Sequence, residues 1–431
     1  MHTKKNLRVH SSPIVVALMA LSATFAGCHI ESPGQEEDNT VSPGELIERK
    51  DIPLTRSQKD FVKANNAFAL GLFGEVAGAD PGKSIVISPL SVTFALGMVD
   101  NGARGDTRRE INEALGYEGD SMDDLNSFCR TMLEQGAGVD PSTTVEIANM
   151  ALVNKGCVSL KDAFASKIES DYKADICYKD FSKEDVRSFV NKWCEEKTHG
   201  MIKDFLKDPP SPVDYAHFLN ATYFKGIWSS QFKKGDTRED PFTDAEGKQL
   251  RVKMMHQKAK FNYTRVNGLC SAVCLPYGNQ AFRMVIILPE EGGSLDGMRK
   301  GLTPEVWERL NSMEGVEVDV KIPSFETEYG TESLKAALRD MGIKTAFDSA
   351  RADFSDMTDE TVFIADVLHK ARIKVDEQGS EAAAVTDVVI RKNSASEPQG
   401  PVDFHADRPF IYAITEVSTG AIFFIGQYAG K

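Results

Sequence analysis

Read with a period of two, residues 380–391 divide into two faces. Ser380, Ala382, Ala384, Thr386, Val388 and Ile390 fall on one; Glu381, Ala383, Val385, Asp387, Val389 and Arg391 fall on the other. Every charge lies on the second face. The first is uncharged and mostly small. Such a segment can enter the middle of a sheet, where a charge without a partner would be costly to bury. Arg391-Lys392 then leads into a stretch rich in Ser, Pro and Gly, with turn chemistry. The competing reading is a surface helix, because alanine is the best helix former. Gly379, Val385, Thr386, Val388 and Val389 stand against it.

Elsewhere the pattern predicts ordinary elements. Phe61, Asn65, Phe68 and Leu72 recur at helical spacing, so a folded body begins near Ser57 with an amphipathic helix. Ser84–Ile87 reads as a short strand running into Ser88-Pro89, a helix cap followed by proline at the first turn. Asp106–Glu110 opens another helix, with Thr107 and Glu110 spaced as a capping box. Phe282–Leu288 is nearly continuous apolar, as in a buried strand. Leu334–Met341 is helical, and the last apolar runs predict a hairpin about Ser418-Thr419-Gly420.

Composition narrows the class. A chain of 431 residues ordinarily suggests two or three domains, but no long linker divides it after about residue 55. The net charge of −14, with no basic block, argues against a nucleic-acid partner. Of the seven cysteines only Cys270 and Cys274 lie close together. One C-x3-C pair does not make a metal site, so no metal and no cofactor is expected. No G-x-S-x-G elbow and no H-E-x-x-H occurs, so the chain does not read as an enzyme and no residue is assigned a catalytic role.

Residues 1–28 predict an export signal: Lys4, Lys5 and Arg8 precede an apolar stretch, Pro13–Ala26, that is short for a membrane span. The small residues Ala26-Gly27 directly before Cys28 resemble the bacterial lipobox, although Phe25 stands where Leu or Val is usual. That resemblance implies cleavage before Cys28 and a lipid on it. The expected location is then the bacterial cell envelope, lipid-anchored at the outer membrane or cell surface. An ordinary cleaved signal and an uncleaved anchor are the alternatives. Residues 29–55 carry few large apolar groups and read as a flexible tether.

The run from Glu377 to Thr386, E-Q-G-S-E-A-A-A-V-T, resembles the hinge of the reactive loop in serpins, the serine-protease-inhibitor family. Further segments match that family in order: SIVISPLSVTFALG from Ser84, Trp193 through Thr198 and Gly200 to Ile202, FLNATYFKGIW from Phe218, VKMMHQ from Val252, and FHADRPF from Phe404. Together the resemblance covers about residues 57–431. It implies an α+β fold as one domain over 56–431, with a large mixed β-sheet A, further sheets B and C, eight to nine helices and an exposed reactive loop at about 377–403. It implies a monomer that inhibits serine endopeptidases, and cysteine endopeptidases as a further class, by the suicide-substrate route. A protease cuts the loop, and the freed hinge inserts as a new strand of the main sheet, dragging the covalent acyl-enzyme with it. The alternative is a serpin-fold binding or scaffold protein on the cell envelope that does not inhibit.

The hinge residues so implied are Glu377, Gly379, Ser380, Glu381, Ala382, Ala383, Ala384 and Thr386. Ser88, Ser91, Asn220 and His369 map onto the polar cluster beneath the sheet that must part on insertion. Ser324 stands where the family often carries a lysine facing Glu377, so another partner for that carboxylate is required. Family spacing counted from Gly379 puts the cut after Asn393, before Ser394, or one residue earlier. A trypsin-like pocket holds a buried carboxylate that a long basic side chain satisfies. That chemistry favours Lys392-Asn393 as the reactive bond, with Arg391-Lys392 and Asn393-Ser394 as alternatives, and a trypsin-like serine protease as partner.

Overall fold

In the computed structural model, residues 48–117, 122–380 and 400–430 are described. Helix α1 (Arg56–Ala79) starts at a capping box in which Thr55 and Gln58 each accept from the other's backbone N–H. Its buried side includes Phe61, Asn65, Phe68 and Leu72, the predicted stripe. Helix α2 (Pro89–Asp100) is buried almost all round, and Ser88 caps it by accepting from the Ser91 N–H, with Pro89 in the first turn.

The third helix, α3 (Gly105–Leu115), departs from expectation. It begins at Gly105, three residues before the start at Arg108 that a Thr107–Glu110 capping box requires, and no side chain caps it. Both groups turn to tertiary partners instead. Thr107 Oγ1 accepts from the Asp353 N–H at 2.9 Å. The Glu110 carboxylate accepts from the N–H groups of Lys344 and Thr345 at 2.7 and 2.6 Å. These bonds pin the 344–353 turn to α3. Nine α-helices are present among the described residues.

The first strands are β1 (Ile85–Ile87), β2 (Thr143–Asn154), β3 (Asp175–Lys179) and β4 (Ala216–Ile227). Next come β5 (Arg238–Thr243), β6 (Gln249–Val266), β7 (Cys270–Tyr277), β8 (Phe282–Pro289) and β9 (Glu314–Pro323). The last are β10 (Phe325–Ser333), β11 (Leu368–Val375), β12 (Gly379–Ser380), β13 (Val402–His405), β14 (Phe410–Glu416) and β15 (Ile422–Tyr428).

Six of them form a mixed sheet in the order β10-β11-β12-β4-β2-β3, with β2 and β3 parallel. The other nine run β1-β15-β14-β8-β7-β6-β9-β13, with β5 paired to β6. The 18-residue β6 pairs in turn with β5, β9 and β7, so the two smaller sheets expected beside the main one share a strand and run on as one ladder. The strands β14 and β15 are buried throughout, including the polar Thr415, Glu416 and Gln427 that interrupt their mostly apolar runs. Helix α2 packs between β15 and β4, so it lies directly behind the centre of the six-stranded sheet. These elements belong to one compact unit, Glu45–Lys431.

Candidate functional site: the hinge and the cluster beneath the sheet

The hinge turns sharply at the end of β11. Asp376 and Gly379 exchange backbone bonds of 2.9 and 3.3 Å, and Asp376 Oδ1 accepts from the Gln378 N–H at 2.9 Å. The chain then doubles back as β12, between β11 and β4. Ser380 lies opposite Val375 on one side and Gly226 on the other, antiparallel to both. Gly379 is required here by close approach, since a Cβ would sit 2.0 Å from the Gly226 carbonyl oxygen.

Ser380 is 1% exposed, the burial expected for the uncharged face. Its hydroxyl shares a 2.7 Å hydrogen bond with the Tyr277 hydroxyl. Burial pushes the Tyr277 phenol well above its usual range, so it stays an uncharged O–H group. Tyr277 stacks on Trp228, with ring centroids 4.3 Å apart. Trp228 donates its indole N–H to the Asp376 carbonyl and its backbone N–H to that of Gln378. Read from sequence as a structural anchor, Trp228 is therefore also the clamp on the turn.

Glu377 finds the partner that the missing lysine left open. Thr237 Oγ1 donates to Glu377 Oε1 at 2.8 Å, and Ser324 Oγ donates to the Val375 carbonyl. Nothing local in the sequence points to Thr237, which lies 140 positions away.

Below the hinge, the predicted polar cluster is present but divided. Ser91 Oγ on α2 donates to Asn220 Oδ1 on β4. Asn220 in turn donates to Asn149 Oδ1 at 2.7 Å, and Asn149 donates to the Tyr172 carbonyl. Thr222 also donates to Asn220. His369 on β11 joins from the other side, its Nε2 accepting from the Ser88 backbone N–H at 3.1 Å. The two halves meet at the α2 cap rather than through a direct bond between imidazole and amide. The sequence reading did not include Asn149 and Thr222: the β2–β4 register sets Asn149 opposite Asn220, and Thr222 stands two residues along β4 on the same face.

His369 is buried, and desolvation brings its pKa down to about 4. An Nε2 that accepts a bond from a backbone N–H is unprotonated, which agrees with a neutral ring. The unfolded chain binds a proton near pH 6.5. The neutral histidine therefore contributes its full stability above about pH 6.5 and loses it as pH falls towards 4, about 3 kcal/mol in all. Asp100, which burial raises to about 7, runs the opposite way over much of this window. The His369 contribution is thus read as a difference: urea midpoints should fall on acidification more steeply for wild type than for His369→Gln. Parallel pH profiles would show that His369 is not buried neutral.

The remaining hinge residues, Glu381, Ala382, Ala383, Ala384 and Thr386, lie outside the described residues, as do Arg391, Lys392, Asn393, Ser394 and Cys28. Among the described residues no helix is long and apolar enough to cross a membrane. Six cysteines there are free thiols, with Cys157 and Cys177 partly exposed and the rest buried.

Comparison with known proteins agrees with this geometry. The family described as Serpin (serine protease inhibitor) matches residues 63–430. Iripin-2 of Ixodes ricinus is 34% identical over 381 residues, spanning 86% of this chain and 94% of that protein. The crystal structure of tengpin, a thermophilic serpin in the native state, has a TM-score of 0.78 at 30% identity, covering 89% of this chain and 98% of that one. Human thyroxine-binding globulin gives 0.77 at 25% identity, covering 86% and 98%. With a hinge that opens a central strand and a family match over most of its length, this chain belongs to the serpin family.

Proposed function

We propose that this serpin inhibits serine endopeptidases of trypsin-like specificity by loop insertion. The observation that carries the reading is the seat of Ser380 between β11 and β4, the first inward residue of a strand that the sheet can extend.

Continuing that register sets each residue after Ser380 against one before Gly226. Glu381 to Ile390 would lie opposite Lys225 to Ala216, the first residue of β4. Lys392 would emerge two residues beyond. The sixth residue, Thr386, falls opposite both Asn220 and His369. Directly opposed residues share a face, so its hydroxyl would enter the polar cluster. At about 3.3 Å per residue, twelve inserted residues would set the ester on Lys392 roughly 40 Å along the sheet from Ser380. The chemistry needs nothing further from this chain. The protease serine attacks the Lys392 carbonyl carbon, the bond to the Asn393 nitrogen breaks, and that nitrogen leaves with a proton. Insertion then removes the acyl-enzyme from the geometry that hydrolyses it.

The test is incubation with trypsin, read on a denaturing gel and by mass spectrometry. A covalent complex should form and release a peptide beginning at Asn393. A peptide beginning at Ser394, with Lys392→Ala still fully inhibitory, overturns the assigned bond. Failure of every protease in a serine-protease panel to form a complex leaves the non-inhibitory binding role in its place.

We further propose that Cys28 carries a lipid that tethers the protein to the bacterial envelope through residues 29–55. Fatty-acid label should enter the wild-type protein in its native host and not Cys28→Ala. Absence of label in the wild type sinks the anchor.

A further inference from the structure

At one edge of the nine-stranded sheet, three neighbouring strands present two imidazoles and two carboxylates on one face. Lys321 of β9 lies opposite both His256 of β6 and His405 of β13, and Asp319 lies opposite Asp403. Opposed residues and those two apart along a strand share a face, so all four acidic and imidazole groups project to the same side. His256 Nε2 is 3.0 Å from Asp319 Oδ1, and His405 Nε2 is 3.2 Å from the same oxygen. Ligand atoms of Asp319, Asp403 and His405 all lie within 4.8 Å of one another.

We propose that Asp319, Asp403 and His405, with His256 as fourth ligand, bind a divalent transition-metal ion of the zinc class. Nitrogen and carboxylate ligands about 2.0–2.2 Å from a tetrahedral ion are about 3.4 Å apart. The two histidine–carboxylate separations are already within a few tenths of an ångström of that edge. His256 stands outside the 4.8 Å cluster but touches Asp319, and rotation of its partly exposed side chain brings it in as the fourth ligand. Two imidazoles and carboxylate oxygens suit zinc better than calcium or magnesium, which take oxygen alone. Two lysines share the face, and each has an acidic neighbour: Lys258 sits 3.6 Å from Glu317, and Lys321 4.0 Å from Asp240.

The site's position gives the ion a consequence. Among the described residues, β13 is a four-residue edge strand paired only with β9, and it begins two residues after the described chain resumes at Gly400. It holds the far end of the loop. An ion bridging His405 and Asp403 to Asp319 and His256 fastens β13 across two strands and so pins that end.

The test uses the full chain, stripped with chelator and titrated with zinc chloride by calorimetry and with cobalt(II) by absorption. One ion should bind per chain. The cobalt form should show visible bands of a tetrahedral nitrogen–oxygen set without thiolate charge transfer. His256→Gln and His405→Gln should each weaken binding about tenfold or more, while their metal-free melting temperatures match the wild type. Zinc should raise the melting temperature of the wild type and not that of the double variant. Absence of stoichiometric binding overturns the proposal, as does affinity unchanged in the double variant. A thiolate charge-transfer band would assign the ion to Cys157 or Cys177 instead and would equally overturn it.

Discussion

Limited proteolysis between Val388 and Ser396 is expected to raise the melting temperature by more than about 10 °C. At about 2.1 cal/mol/K of unfolding entropy per residue, each kcal/mol moves the midpoint of a chain this long by roughly 1–1.5 °C. A shift of that size therefore reports a gain near 10 kcal/mol. The source of the gain is specific. In the uncut chain the loop is held at Ser380 on one side and at β13 on the other. Cutting frees the first end to continue the ladder that Ser380 starts, and each added residue pairs with β11 or β4. Its inward side chains, alanine, threonine, valine and isoleucine, carry no charge to bury. A melting temperature unchanged or lowered by the cut would mean that the segment does not insert.

Ser380→Arg should turn the inhibitor into a substrate. The native hydroxyl is buried against Tyr277. A guanidinium there must be desolvated to let the sheet close. About 3 kcal/mol added to the insertion barrier slows that step roughly 100-fold, while hydrolysis of the acyl-enzyme keeps its rate. The measured ratio of cleaved inhibitor to covalent complex should rise accordingly. Thr386→Arg should act the same way, because on insertion the register of Ser380, continued, would set it between Asn220 and His369. Glu381→Arg, on the opposite face, should change the ratio little. Equal damage from Glu381→Arg and Ser380→Arg would show that the two faces are not distinguished by insertion.

Much of this was legible without coordinates. Alternation along 380–391 separated an uncharged face from a charged one, and the one described residue of that face, Ser380, is buried. The apolar runs at 282–288 and around 418–420 became the strands β8, β14 and β15, and the spacing of Phe61 to Leu72 became the inner side of α1. Such features depend on the backbone repeat of a single element, which the order of residues carries directly. The Thr107–Glu110 spacing misled for the same reason. A capping box is a local pattern, and it lost to partners at Lys344, Thr345 and Asp353 that a local reading cannot see.

The sequence by itself determined which stretch could become a strand, which of its faces could be buried, and which residue types line the cluster beneath it. The tertiary structure alone decided who meets whom. Thr237 reaches Glu377 across 140 positions, Tyr277 reaches Ser380 across 103, and Ser88 reaches His369 across 281. His256 and His405 meet at Asp319 from 63 and 86 positions away. Each of these contacts depends on how elements distant in the chain are set against one another. For the strand residues among them, Tyr277, Ser380, His369, His256, Asp319 and His405, register is set by how whole hydrophobic faces fit together over the core, and a slip of one residue would turn each side chain to the other side of its sheet.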